Sequence, residues 1–119
     1  MNDNEGRPIH RRAADSLAGL RQGFLRERAI RTHIILSLAA IAGLAWMRPA
    51  LTWTLSVAML LVLGLAAELF NGALEAALDR LHPGEDAEIG AAKDMASAAL
   101  LVINIAALVV FVGAMLSSW

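Results

Sequence analysis

Apolar positions in this chain gather into three runs. Residues 29–47 are apolar from Ile34 onward, start with Arg31 and His33, and stop at Arg48-Pro49. The second run opens at Leu51 and stays apolar through Ala67. It then changes, with no helix breaker, into acids spaced among alanine and leucine as far as residue 81. Pro83-Gly84 ends it, and an acidic loop carrying Glu85, Asp86 and Glu88 is expected up to about Gly90. The third run, 95–118, holds only Ser97, Asn104 and terminal serines as polar groups. A helix crosses the hydrocarbon core with about 20 residues, so 29–47, 51–81 and 95–118 are each expected to be a membrane helix. Arg31 and His33 are expected to reach back toward the headgroups.

Residues 1–28 are read as a cytoplasmic tail and a surface helix. From Arg11 to Arg28 the spacing is helical, with Leu17, Leu20 and Phe24 on one side, a pattern suited to the membrane surface. Another side carries Arg12, Ser16, Gly19, Gly23 and Glu27, a stripe of small and polar groups open to a helix or a ligand. The expected fold is therefore an all-α membrane protein of one domain: an N-terminal amphipathic surface helix followed by three transmembrane helices.

Composition supports this class, since 58% of residues are apolar and only 18% charged. The net charge of −1 conceals an asymmetry, because seven of the ten basic residues (Arg7, Arg11, Arg12, Arg21, Arg26, Arg28, Arg31) precede the first long apolar stretch. That distribution is a topology signal and gives no reason to expect nucleic acid as a partner. It places the N-terminus and the 79–93 segment inside and the C-terminus outside. Trp46, Trp53 and Trp119 then fall near the outer interface, where indole rings prefer to lie. Without cysteine, disulfides and thiolate chemistry are excluded.

The chemistry is concentrated on the second membrane helix. At 100° per residue Glu68, Asn71, Glu75 and Asp79 fall within about 80° of arc, stacked over roughly 16 Å. Such a face is costly against lipid unless its acids pair or line a wet cavity. On the third helix Lys93, Ser97, Leu100 and Asn104 share a side, with Asp94 beside Lys93. Carboxylates with a lysine at a water boundary suit a magnesium polyphosphate, because oxygen ligands hold Mg²⁺ and the ammonium offsets phosphate charge. Plainer readings stand beside this one. Asp79, Glu85, Asp86 and Glu88 serve equally as solvated acids, Lys93 and Asp94 as an interface anchor, and Asn104 as interhelical glue. His10, His33 and His82 show no ligand spacing. No glycine-rich phosphate loop of Walker or kinase type is present.

The stretch AELFNGALEAALDR at 67–80, followed by KDMASAA at 93–99, resembles the prokaryotic diacylglycerol kinase family, with its pattern E-x-x-N-x-x-x-E-x-x-x-D and then K-D. Gly19-Leu-Arg21 and Glu27-Arg-Ala-Ile-Arg31 are similar to that family's surface-helix motif. The resemblance implies a homotrimeric bundle in the bacterial cytoplasmic membrane, with sites shared between subunits, Mg-ATP as donor and a membrane lipid alcohol as acceptor. It implies Glu68 as the catalytic base, Glu27 and Glu75 as metal and ATP ligands, and Glu85, Asp86, Lys93 and Asp94 as further ATP contacts. Arg21, Arg31 and Ser97, with Glu68, would lie along the lipid substrate. Asn71, Asp79 and Ser16 would organise the site.

The activity so implied is phosphorylation of diacylglycerol to phosphatidic acid. The alternative within the family is undecaprenol kinase, a branch that the Arg31-x-His33 sequence resembles. The alternative from another class is a non-enzymatic small membrane protein or ion pathway built from the same acids. An aligned lysine-acid pair on a second helix has no obvious use in such a pore.

Overall fold

The computed structural model describes residues 6–119. The first five residues of the expected 1–28 tail lie outside the described residues. Four helices follow in order: α1 (Ile9–Arg26), α2 (Arg28–Met47), α3 (Leu51–Leu81) and α4 (Ala87–Ser117). The last three are long and apolar enough to cross a membrane. Helix α3 packs chiefly on α4 and next on α2, while α1 touches α2 and α3.

The three connections have distinct physical causes. Glu27 separates α1 from α2 with an extended backbone (φ −107°, ψ 110°), its N–H donating to the Gly23 carbonyl at 2.9 Å. The helical pattern expected to run on to Arg28 is therefore interrupted one residue earlier. Arg31 holds the corner, because Nη1 donates to the Phe24 and Leu25 carbonyls at 2.7 and 3.1 Å. Those carbonyls are among the last of α1, which has no helical partners for them and favours a cation there.

Helix α2 ends at Arg48 in the left-handed region (φ 52°), and Pro49 prevents its resumption. The connection after α3 is shorter than the sequence suggested. The loop expected to reach about Gly90 stops at Asp86, whose Oδ1 accepts from the N–H groups of Glu88 (2.9 Å) and Ile89 (3.1 Å). This side-chain cap satisfies amides that a helix start leaves bare, so α4 begins at Ala87 and Lys93 is already helical.

The buried cluster sits at one end, while Ile30 is buried apart from it beside the α1–α2 corner. Leu44, Val57 and Ala114 are buried together, with Met47, Trp53, Leu61, Val110 and Phe111 packed around them. Lipid supplies no hydrophobic drive for helix association, so close packing must supply it. Two glycines permit that approach: Gly113 lies against the Trp53 ring, whose Cζ3 is 2.6 Å from where a Cβ would stand, and Gly43 lies against Phe111. Trp53 is thus turned into the bundle, whereas Trp46 and Trp119 are exposed and line a shared hollow beside it with Met47 and Met115.

Candidate active site

At the opposite end, α3 rises carrying its acids. Glu68, Asn71 and Glu75 are half-buried, while Asp79, one turn beyond Glu75, is exposed. The close partner of this face comes from the α1–α2 corner. The Glu27 side chain lies on Gly72, with Cγ, Cδ and Oε1 at 3.2, 3.4 and 3.5 Å from the position a Cβ would take. Because Gly72 presents bare backbone, the Glu27 carboxylate reaches the row formed by Glu68 and Glu75. Glu27, Glu75 and His33 are the charged or titratable groups that act electrostatically on Glu68. Asn71 Oδ1 is buried with no hydrogen-bond partner among the described residues. A buried acceptor left open in this way is uncommon and is free to meet a water, an ion or another polar group.

Helix α4 closes the other flank. Lys93 Nζ pairs with Asp79 Oδ1, and the same two residues line an open cleft with His82, Glu85 and Asp86. The capping amides of Ile89 first, then Glu88, hold the Asp86 carboxyl below the ordinary aspartate range. Its second oxygen stands 3.5 Å from His82 Nε2. The end of the bundle thus offers three carboxylates around Gly72 and, two turns further out, a lysine among acids.

A family model for prokaryotic diacylglycerol kinase matches residues 14–115. The diacylglycerol kinases of Escherichia coli K12, Escherichia coli O157:H7 and Shigella flexneri are each 32% identical over 102 residues, covering 85% of this chain and 83% of the relative. The chain belongs to the prokaryotic diacylglycerol kinase family. With three helices able to cross a membrane, it is a bacterial membrane protein of a lipid kinase family.

Within that family's expected site set, the structure brings Glu27, Glu68, Asn71 and Glu75 together around Gly72, and Asp79 with Lys93, Glu85 and Asp86 around the second cleft. Asp94 and Ser97 stay exposed on α4. Arg21 is exposed on α1, and Ser16 is exposed with its hydroxyl donating to the Arg12 carbonyl at 3.0 Å. Arg31, expected along the lipid, holds the α1–α2 corner, as described above.

His33 departs most from expectation. It does not reach back toward headgroups but turns inward, Nε2 donating to the Leu61 carbonyl at 2.9 Å over Gly64. The missed residues are glycines: Gly64 and Gly72 flank Glu68 at four-residue spacing, which places all three on one side of α3. That row was visible in the sequence as small residues beside an intramembrane acid.

Among the described residues no three His, Asp or Glu side chains converge closely enough to cage a metal ion. Mg²⁺ does not require such a cage, since it is usually held by one or two carboxylates plus substrate phosphates and water. The hard oxygen donors of Glu27 and Glu75, next to the unpartnered Asn71 Oδ1, fit that mode.

Proposed function

We propose that this chain is an ATP-dependent kinase that converts diacylglycerol to phosphatidic acid at the cytoplasmic face of the inner membrane. In this reading it is a homotrimer with its N-terminus inside and its C-terminus outside. The observation that carries the proposal is the seat of Glu27 on Gly72, which adds a carboxylate from the α1–α2 corner to Glu68 and Glu75 at the mouth of a bundle of membrane-length helices. A solvated acidic helix end needs no such seat, and neither does an ion pathway with a lysine at its entrance.

Phosphoryl transfer demands positioning and charge neutralisation more than covalent catalysis. Glu68 takes the proton of the acceptor hydroxyl as that oxygen bonds to the γ-phosphorus, and the bond from phosphorus to the bridging oxygen of ADP breaks. Glu27 and Glu75 would hold Mg²⁺, which neutralises developing charge on the phosphates when bound. Lys93 leaves Asp79 to meet the polyphosphate, and Asn71 orients the groups about Glu68. Because Glu68 and Glu75 remain part-exposed in a single subunit, a neighbouring copy completes the enclosure.

The test is to reconstitute the purified protein in liposomes and offer diacylglycerol and undecaprenol with γ-labelled ATP. Label entering phosphatidic acid, and cross-linking to a trimer, are expected. Label confined to undecaprenyl phosphate moves the protein to the other branch of its family. Ion flux with no labelled lipid leaves no kinase reading standing.

A further inference from the structure

A second opening begins beside Glu68, on residues distinct from those of the Lys93 cleft. It is a cleft of about 620 Å³ between α2 and α4, running from Glu68 past Leu61 to Phe111 with mostly apolar walls. Arg28, Thr32 and Ser37 add polar groups on the α2 wall, and one layer joins polar groups from two helices. At Gly64, His33 from α2 and Asn104 from α4 lean over the same bare backbone, with His33 Nε2 at 3.2 Å and Asn104 Oδ1 at 3.6 Å from the position of a Cβ. His33 is fixed there by its bond to the Leu61 carbonyl. Asn104 is exposed in the cleft, and it forms no side-chain hydrogen bond among the described residues. An open amide within an apolar membrane helix is costly unless a polar group meets it.

We infer that Asn104 selects the acceptor: its amide hydrogens bind an ester carbonyl of a glycerolipid alcohol whose hydroxyl stands at Glu68, and His33 fixes the facing wall. This rests on the kinase reading above and names what that site distinguishes. The lengths agree, because Gly64 is four residues from Glu68, about 6 Å of helix rise. In a 1,2-diacylglycerol an ester sits on the carbon next to the hydroxyl-bearing one, so its carbonyl reaches a level about one helical turn deeper. The chemistry agrees too, since an amide supplies two N–H donors and an ester offers only acceptors. Below that layer the apolar walls toward Phe111 take an acyl chain. A polyprenol presents hydrocarbon where Asn104 waits, and leaves the amide unsatisfied.

The experiment measures initial rates of the purified full-length protein in mixed micelles with labelled ATP and three acceptors: dioctanoylglycerol, its diether counterpart and a polyprenol of similar length. One neutral hydrogen bond corresponds to roughly a three- to tenfold difference in KM, so the wild type should favour diester over diether by that factor. Asn104→Leu should erase the difference by raising the diester KM, with kcat and the diether KM unchanged. Asn104→Ser, which keeps a donor, should retain part of it. An unchanged diester-to-diether ratio in Asn104→Leu overturns the inference. So does an equal loss on every acceptor with dissociation of the assembly, which would make Asn104 a contact to a second copy of the chain. Wild-type protein that labels only the polyprenol refutes the selection and leaves a lipid kinase, whereas wild-type protein that labels no lipid refutes the kinase reading itself.

Discussion

The two ends of this bundle solve opposite problems. At the tryptophan end, Leu44, Val57 and Ala114 are sealed by Trp53 and Phe111, with Gly43 and Gly113 letting rings approach backbone. At the acidic end a glycine again allows close approach, but what it admits is the Glu27 carboxylate, and the groups around it stay part-exposed. The same device, absence of a side chain on a helix, gives cohesion at one end and a meeting of like charges at the other. Like charges gathered without cations are unfavourable, so the acidic end depends on a ligand or a neighbouring subunit in a way the tryptophan end does not.

Substitutions should separate these roles sharply. The largest effect is expected from Glu68→Gln or Glu75→Gln. On the proposed reading each keeps shape but removes a proton acceptor or a metal ligand, and should lower lipid phosphorylation by at least about 100-fold with the elution volume unchanged on size exclusion. Activity near wild type in either would break the contrast between the ends.

Next is Gly113→Val, which drives a side chain into the Trp53 ring. Overpacking of this kind costs about 1–3 kcal/mol, to be read as a lower thermal midpoint in detergent, with turnover per folded molecule retained. Gly72→Ala is milder, because the clash at 3.2 Å is with a flexible Glu27 side chain. It should reduce kcat several-fold, within about 1.4 kcal/mol, and leave the midpoint nearly unchanged. A large fall in stability there would show that the acidic end also packs for cohesion.

The smallest effect concerns Asp86. Its folded-state carboxyl ionises at lower pH than the unfolded one, so the stabilisation is complete above the unfolded value and fades as pH falls through the folded value. Asp86→Asn should therefore melt slightly below wild type at about pH 7, and the gap should narrow only as pH falls below the ordinary aspartate range.

Much of this architecture was legible beforehand. The membrane-length runs and the one-sided spacing of Glu68, Asn71, Glu75 and Asp79 depend on periodicity, which a single sequence carries well. The corner at Glu27 was not legible, because no proline or glycine marks it. It is held by Arg31 reaching back to carbonyls several residues earlier, a tertiary arrangement with no local signature. His33 was misread for a related reason. At the start of an apolar run a polar ring can turn either way, and only the bare backbone of Gly64 on another helix decides that it turns inward. The early start of α4 was recoverable, since an aspartate shortly after Pro83-Gly84 is a standard helix-start signal.

The unequal lengths of α2 and α3 have one further consequence. With 20 residues α2 measures about 30 Å, and with 31 residues α3 measures about 46 Å, while Arg48 and its two successors tie their far ends together. The shorter rod matches the oily slab and works as a depth gauge, leaving the overhang of its longer neighbour to stand in water like a mast. Slab thickness then sets how high Glu68 floats, and rates in vesicles of graded acyl length should peak where slab and gauge agree. A flat profile would mean that the mast rides free of the gauge.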